Sequence, residues 1–129
     1  MKQRILGIDY GDKRVGLALA EIGSIALPYK VLQNNGQKEL LSEIKKIILE
    51  QKIDFLVLGM PLSLSGQENE RYKITGDFLD FLKANLTLPI ETVNEHFSSK
   101  IYQRQNIKKD IDKHAATAIL DSFLSQNDQ

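Results

Sequence analysis

Hydrophobic positions along the chain fall into two kinds of segment. Short, nearly continuous apolar runs at residues 5–8 and 55–58 are typical of strands that are buried on both faces. Between them, apolar side chains recur every three or four residues from Leu40 to Ile48, with Lys and Glu in the intervening positions. This spacing predicts an amphipathic helix over residues 37–51. The chain is therefore expected to be an α/β protein.

The same patterns predict three strands first and then strands that alternate with helices. Strands are expected at 5–9, 14–20, 24–32, 54–59 and 89–94, and helices at 37–51, 69–85, 98–103 and 112–124. The turn at residues 10–13 joins the first two strands as a hairpin, with Gly11 available for a positive φ. Pro28 places the third strand at an edge or a bulge. The prediction is a mixed five-stranded sheet flanked by helices.

Length and composition limit the classes of protein that the chain can belong to. Its 129 residues suit a single domain over 1–125, followed by a frayed tail at 126–129. No apolar run approaches the ~20 residues that span a bilayer, and the first residues lack the pattern of a signal peptide. There are no cysteines, which excludes disulfides and thiolate metal sites. We expect a cytoplasmic protein without a membrane partner.

The charge balance is neutral, with 17 basic and 17 acidic residues. Proteins that bind nucleic acid usually carry a basic excess, so this balance counts mildly against such a partner. The basic residues are nevertheless uneven, because five of them lie between residues 100 and 113: Lys100, Arg104, Lys108, Lys109 and Lys113. Such a run is either a local nucleic-acid contact or a solvated helix face.

Three acids stand at the ends of predicted elements. Asp9 ends the first strand, Glu95 follows the fifth strand, and Asp112 opens the last helix. Strand ends and helix starts at one edge of an α/β sheet meet at a common cleft. Oxygen ligands without cysteine suit Mg²⁺ or Mn²⁺. Two carboxylates ~5 Å apart repel by about 3 kcal/mol at an effective dielectric of about 20, so a cluster of three calls for a cation or a proton.

Each acid also has a structural interpretation. Asp9 could be a turn acid in the hairpin, Glu95 a surface residue and Asp112 an N-cap. Spacing along the sequence does not decide between these interpretations and a metal site.

Four motifs resemble those of a known family. Residues 8–18, IDYGDKRVGLA, are similar to the opening motif of the RuvX/YqgF family, which are Holliday-junction-resolvase-like proteins assigned as pre-16S ribosomal RNA nucleases. Residues 59–63 with Gly66, residues 94–99, and residues 112–120 are similar to the three later motifs, in the same order. Actin-like ATPases share the first motif, but their fold needs two such domains. The resemblance implies a ribonuclease H-like fold.

The resemblance also implies an activity and a site. Asp9, Glu95 and Asp112 would be the catalytic and metal-binding residues of a nuclease that uses Mg²⁺ or Mn²⁺, with two ions. Arg14, Lys108 and Lys109 would hold the backbone phosphates of RNA, and the substrate would be pre-16S rRNA, free or in pre-ribosomal particles. Asn94 and His96 replace the family's usual Asp and Arg, and the second change removes a bidentate phosphate donor.

Other functions remain open from the sequence. A Holliday junction resolvase would have the same fold and acids with DNA as its substrate, although no dimer helix is evident. A non-catalytic RNA-binding module for ribosome assembly would have no need of Mg²⁺ at Asp9. Residues 59–66 could approach the nucleic-acid backbone or form an ordinary strand–helix loop. His114 is more in keeping with a surface side chain than with a general base.

Overall fold

A computed structural model describes residues 2–62, 68–95 and 111–126, the side chains of 111–114 excepted. In these ranges the strands are β1 (Arg4–Tyr10), β2 (Arg14–Glu21), β3 (Leu27–Gln33), β4 (Phe55–Pro61) and β5 (Ile90–Glu95). The helices are α1 (Gln37–Gln51), α2 (Glu70–Asn85) and α3 (Ile111–Gln126). The predicted short helix at 98–103 lies outside the described residues. In the described part, no helix is long and apolar enough to cross a membrane.

The five strands form one mixed sheet in the order β3-β2-β1-β4-β5. β1, β2 and β3 pair antiparallel as two hairpins. β4 pairs parallel with β1, and β5 pairs parallel with β4. The predicted mixed five-stranded sheet is confirmed. β3 lies at an edge, and its register with β2 shifts between Leu17 and Ala18, opposite Pro28. Proline has no N–H to give to a ladder, which is why it is found at such a position.

Element bounds differ from the predicted ones mainly at strand ends. α1 has the predicted bounds, and Asn69 is the N-cap of α2, where its side chain accepts a hydrogen bond from the Tyr72 amide at 2.9 Å. β4 continues two residues past Gly59, because Met60 and Pro61 still pair with β5. α3 continues to Gln126, the first residue of the predicted tail, and residues 127–129 lie outside the described residues.

Large aliphatic side chains cover one face of the sheet, against α1 and α2. This cluster, called here the two-helix face, contains Leu6 and Ile8 of β1, Val15 and Leu17 of β2, Leu56, Leu58 and Met60 of β4, and from the helices Leu40, Ile44, Ile47, Phe78 and Leu82. Tyr10 extends it, stacking on Phe78 with ring centroids 4.0 Å apart. Alternate residues of β1 and β4 therefore point towards the two helices.

Among the helices that the structure describes, the opposite face, called here the one-helix face, packs against α3. Its buried residues include four alanines, Ala18, Ala20, Ala26 and Ala116, together with Ile5, Phe55, Val57, Val93, Ile119 and Leu120. Two glycines let the helix approach closely, since a Cβ on Gly7 would lie 2.5 Å from Leu120 Cγ and one on Gly59 would collide with Ile119 Cδ1. The helix backbone is thereby brought close to the strands beneath it.

α3 runs antiparallel to β4. Phe123 lies near Phe55 at the start of that strand, with ring centroids 5.6 Å apart, whereas Ile119 lies over Gly59 near its end. The N-terminal end of α3 therefore lies towards the C-terminal end of β4. The first turn of α3 points to the side of the sheet that is formed by the C-terminal ends of the parallel strands β1, β4 and β5, called here the C-terminal edge.

Candidate active site

Asp9 is the penultimate residue of β1. It continues the row of Ile5 and Gly7, which face α3, and so its side chain belongs to the one-helix face. Its backbone lies opposite Gly16 of β2, and its side chain is half-buried. An acid that follows a buried strand in this way lies at the boundary between core and solvent.

Glu95 is the last residue of β5 and lies opposite Pro61 of β4. It follows Val93 by two residues, and Val93 is buried in the one-helix face. The Glu95 carbonyl accepts a hydrogen bond from the Leu62 amide at 3.0 Å, and its carboxylate oxygen Oε1 is shielded from solvent. Glu95 therefore lies on the same face of the sheet as Asp9, and both residues lie at the C-terminal edge.

The third predicted acid is Asp112, in the first turn of α3. Asp112 precedes Ile119 by seven residues, which is about 10 Å of helix. From Gly59, beneath Ile119, about 10 Å of strand reaches just past Pro61. The backbone at Asp112 is thus directed to the level of Glu95, while its side chain lies outside the described residues.

The arrangement of Asp9 and Glu95 fits a divalent-metal centre. Their strands are separated by β4 alone, about 10 Å across the sheet, and Glu95 lies two residues, about 7 Å, further along the sheet than Asp9, so the backbones lie about 12 Å apart. Two ions ~4 Å apart, each with oxygen ligands at ~2.1 Å, span about 8 Å between outer oxygens. Carboxylates directed towards each other from these two backbone positions would have the chemistry and the spacing that such a pair of ions requires. Among the side chains that the structure describes, no three acids or imidazoles form a metal-binding group.

The turn after Asp9 brings Arg14 to the same edge. Arg14 opens β2 and is exposed. Gly11 does not have the positive φ that the sequence predicted; positive φ occurs, among described glycines, at Gly23 and Gly36. Gly11 is required for another reason, because a Cβ there would collide with the carbonyl oxygen of Arg14. Lys108 and Lys109, the other predicted phosphate contacts, lie outside the described residues, as does His96.

Two residues at this edge were missed by the sequence analysis. Arg71, in the first turn of α2, pairs with the Asp12 carboxylate and donates from Nη2 to the Tyr10 carbonyl at 2.8 Å. Asn34, after β3, donates from Nδ2 to the Gly11 carbonyl at 2.7 Å. An available signal was the basic residue at a helix start, where the helix dipole disfavours positive charge.

Comparison with known proteins gives the family. The model of the RuvX family, described as Holliday junction resolvase, matches residues 3–126. The chain belongs to this family. The segments at residues 8–18, 59–66, 94–99 and 112–120 lie within the matched residues, and the predicted resemblance to the family is confirmed.

Relatives within the RuvX family share about a third of their residues with this chain. A protein of Maridesulfovibrio salexigens is 34% identical over 95% of this chain and 98% of its own length, and its name is "Putative pre-16S rRNA nuclease". A protein of Halothermothrix orenii with the same name is 33% identical over 95% of this chain and 94% of its own length. The similarity thus extends over nearly the whole of each protein.

Solved structures show the fold of this RuvX family chain. The fowlpox virus Holliday junction resolvase matches with a TM-score of 0.58 at 13% identity, over 96% of this chain and 99% of the resolvase. Its complex with substrate Holliday junction DNA matches with a TM-score of 0.57 at 14% identity. The ribonuclease H-like fold predicted from the sequence is confirmed.

Proposed function

We propose that this protein is a divalent-metal-dependent nuclease that hydrolyses RNA phosphodiester bonds, in 5′-end maturation of pre-16S rRNA. One observation carries the proposal: Asp9 and Glu95 share one face and one edge of a ribonuclease H-like sheet, at the edge to which α3 directs Asp112. The names of the relatives supply the substrate class. The cofactor would be Mg²⁺ or Mn²⁺.

The three carboxylates have distinct places in this mechanism. Asp9 would help to hold both ions, with Glu95 and Asp112 each holding one. Two such ions, when bound, supply an activated water and stabilise the leaving oxygen. The shielded Oε1 of Glu95 suits a ligand, because a carboxylate away from solvent interacts more strongly with a cation.

The basic residues would position the substrate. Arg14 stands five residues after Asp9 at the same edge, and its guanidinium suits a phosphate oxygen pair. Lys108 and Lys109 precede α3 in the chain and would contact further phosphates. Contacts of this kind orient the backbone without reading the sequence, so specificity for one precursor would come from RNA shape or from the pre-ribosomal particle.

The test uses a 5′-extended 16S RNA fragment and the full chain, with Mg²⁺ or with EDTA. Asp9→Asn keeps the side-chain shape and removes the charge, so we expect a rate at least about a hundredfold lower, since metal chemistry contributes several kcal/mol. The matched control is Glu91→Gln, on the same strand and face as Glu95 but exposed and four residues away from the edge. It should cleave at the parent rate.

A second candidate is a DNA junction resolvase, which the description of the family model favours. A four-way DNA junction tested beside the RNA separates the two: preferential, Asp9-dependent cleavage of the junction would replace RNA by DNA as the substrate. A non-catalytic assembly module predicts RNA binding without cleavage, and equal behaviour of Asp9→Asn and the parent. Full cleavage by a folded Asp9→Asn protein would refute the metal mechanism.

A further inference from the structure

The turn between β1 and β2 is held from outside the hairpin. A tight hairpin turn normally satisfies its backbone groups within itself. Here the Tyr10 carbonyl accepts from Arg71, the Gly11 carbonyl accepts from Asn34 Nδ2 at 2.7 Å, and the Lys13 carbonyl accepts from the Asn34 amide at 2.8 Å. These partners are remote in sequence, so the conformation of the turn depends on how other elements dock against it.

Arg71, which belongs to α2, contacts the turn through a hydrogen bond and an ion pair. Its Nη2 lies 2.8 Å from the carbonyl oxygen of Tyr10, the residue directly after Asp9, and its Nη1 pairs with the Asp12 carboxylate. The planar guanidinium can serve both acceptors at once, which an ammonium group cannot do with fixed geometry. The position is costly, because the start of a helix disfavours a cation. A residue whose position goes against a local preference points to a role in tertiary structure or function.

Asn34 holds the opposite side of the same turn. Besides its two bonds to the turn, its Oδ1 accepts from the Gly36 amide at 3.2 Å, which orients the side chain just before α1 begins. The turn is thus fixed between a residue ahead of α1 and a residue at the start of α2. Tyr10 adds a third contact by stacking on Phe78 of α2.

We propose that Arg71 is a positioning residue for the nuclease centre, which fixes the backbone at Tyr10 and thereby the direction of the Asp9 carboxylate and of Arg14. The inference rests on the proposed function, because it assigns Arg71 a role through a metal-binding Asp9. Arg71 lies on the two-helix face and Asp9 on the one-helix face, so Arg71 acts through the backbone without touching the metal. The ion pair itself contributes little, since the Asp12 side chain is 72% exposed. The bond to the Tyr10 carbonyl is the important contact.

The chain contains a matched control at the other end of β1. Arg4 also bridges β1 to distant elements, donating to Glu21 at 3.4 Å and to Gln51 at 3.1 Å. Its side chain is 37% exposed, compared with 34% for Arg71, so a Gln substitution removes a similar guanidinium from a similar environment. Arg4 lies at the opposite edge of the sheet from Asp9. A general loss of stability would therefore appear in both variants, and a loss of positioning in one.

The experiment measures Mn²⁺ affinity and backbone hydrogen exchange in the full chain. Arg71→Gln should weaken Mn²⁺ binding about tenfold, the lower end of the effect of residues that orient metal ligands. It should also speed amide exchange across residues 9–14. Arg71→Lys should fall between Gln and the parent, and Asp12→Asn should stay near the parent. Arg4→Gln should lower the melting temperature as Arg71→Gln does, with parental Mn²⁺ affinity and parental exchange at 9–14.

Different results would overturn the inference and the proposed function. If Asp9→Asn and the parent bind Mn²⁺ equally, the proposed metal site is wrong, and exchange at 9–14 still tests the hold of Arg71 on the turn. If Mn²⁺ binding depends on Asp9 but Arg71→Gln and Arg4→Gln bind it equally, Arg71 is merely structural and the inference fails. Unchanged exchange at 9–14 in Arg71→Gln would also refute it. With the inference correct, excess Mn²⁺ restores cleavage to Arg71→Gln but not to Asp9→Asn.

Discussion

The two faces of the sheet are built differently. The two-helix face is a broad layer of Leu, Ile, Met and Phe, including the fully buried Phe78 and Leu82. The one-helix face carries glycine and alanine beneath α3, at Gly7, Gly59 and Ala18 among others. Large side chains fill the space between separated layers, whereas small ones bring two backbones close together. Asp9 and Glu95 belong to the second face.

This difference separates stability from geometry. The two-helix face buries the larger apolar surface and so contributes more to the free energy of unfolding. The one-helix face sets where α3 lies over the sheet, and with it the position of the Asp112 backbone relative to Asp9. Substitutions on the first face should change stability most, and those on the second should change cleavage more than their stability cost explains.

The largest stability effect is expected for Phe78→Ala. Phe78 is fully buried and stacks on Tyr10, so its truncation should cost about 3–5 kcal/mol in the free energy of unfolding, measured by urea titration. Leu49→Ala is the control, because Leu49 is 80% exposed on α1, and it should lie within about 0.5 kcal/mol of the parent. Similar costs for the two variants would contradict the burial assigned to Phe78.

Gly7→Ala should have an intermediate stability effect and a larger effect on cleavage. The new Cβ would meet Leu120 Cγ at 2.5 Å and both Leu120 methyl carbons at 2.9 and 3.0 Å, so α3 must move; overpacking of this kind costs about 1–3 kcal/mol. Gly59→Ala would collide with Cδ1 of the buried Ile119 and lie 2.7 Å from its Cγ1, so it should also destabilise the protein. The check is cleavage rate against unfolding free energy for both variants. A Gly7→Ala protein with parental cleavage would show that the position of α3 does not control the site.

The smallest effect, of opposite sign, is expected at Gly76. This residue lies within α2, and a Cβ there meets nothing within 4 Å, so Gly76→Ala should stabilise the protein by about 0.5–1 kcal/mol. Gly23→Ala also enters open space, but φ is 86° there and the substitution should destabilise instead. Melting temperatures of the pair measure both. A destabilised Gly76→Ala would mean that the outer side of α2 is packed.

The fold was predictable because its signals are local. The repeat from Leu40 to Ile48 gave the bounds of α1, and Pro28 gave an edge strand. The end of β4 was not predictable from local signals, because proline usually ends a strand. Here β4 continues to Pro61 because this residue pairs with Glu95 of β5.

The candidate site was predictable in part. The strand ends gave Asp9 and Glu95, whose metal-binding role stays a prediction. The sheet face of Asp9 was not evident, because β1 is apolar on both faces and alternation supplies no phase. Arg71 acts through a contact across the fold to Tyr10, and no periodicity along the chain records such a contact.

The two edge strands of the sheet also affect how readily copies of this chain aggregate with one another. An open edge strand is a template on which another molecule can extend the ladder, the first step towards fibrous aggregates. β3 interrupts that template with Pro28 and an irregular register, and β5 carries the exposed Glu91, Thr92 and Asn94 at the other edge. The interruption in β3 thus makes this edge a poorer template for a second copy of the chain than a regular edge strand would be.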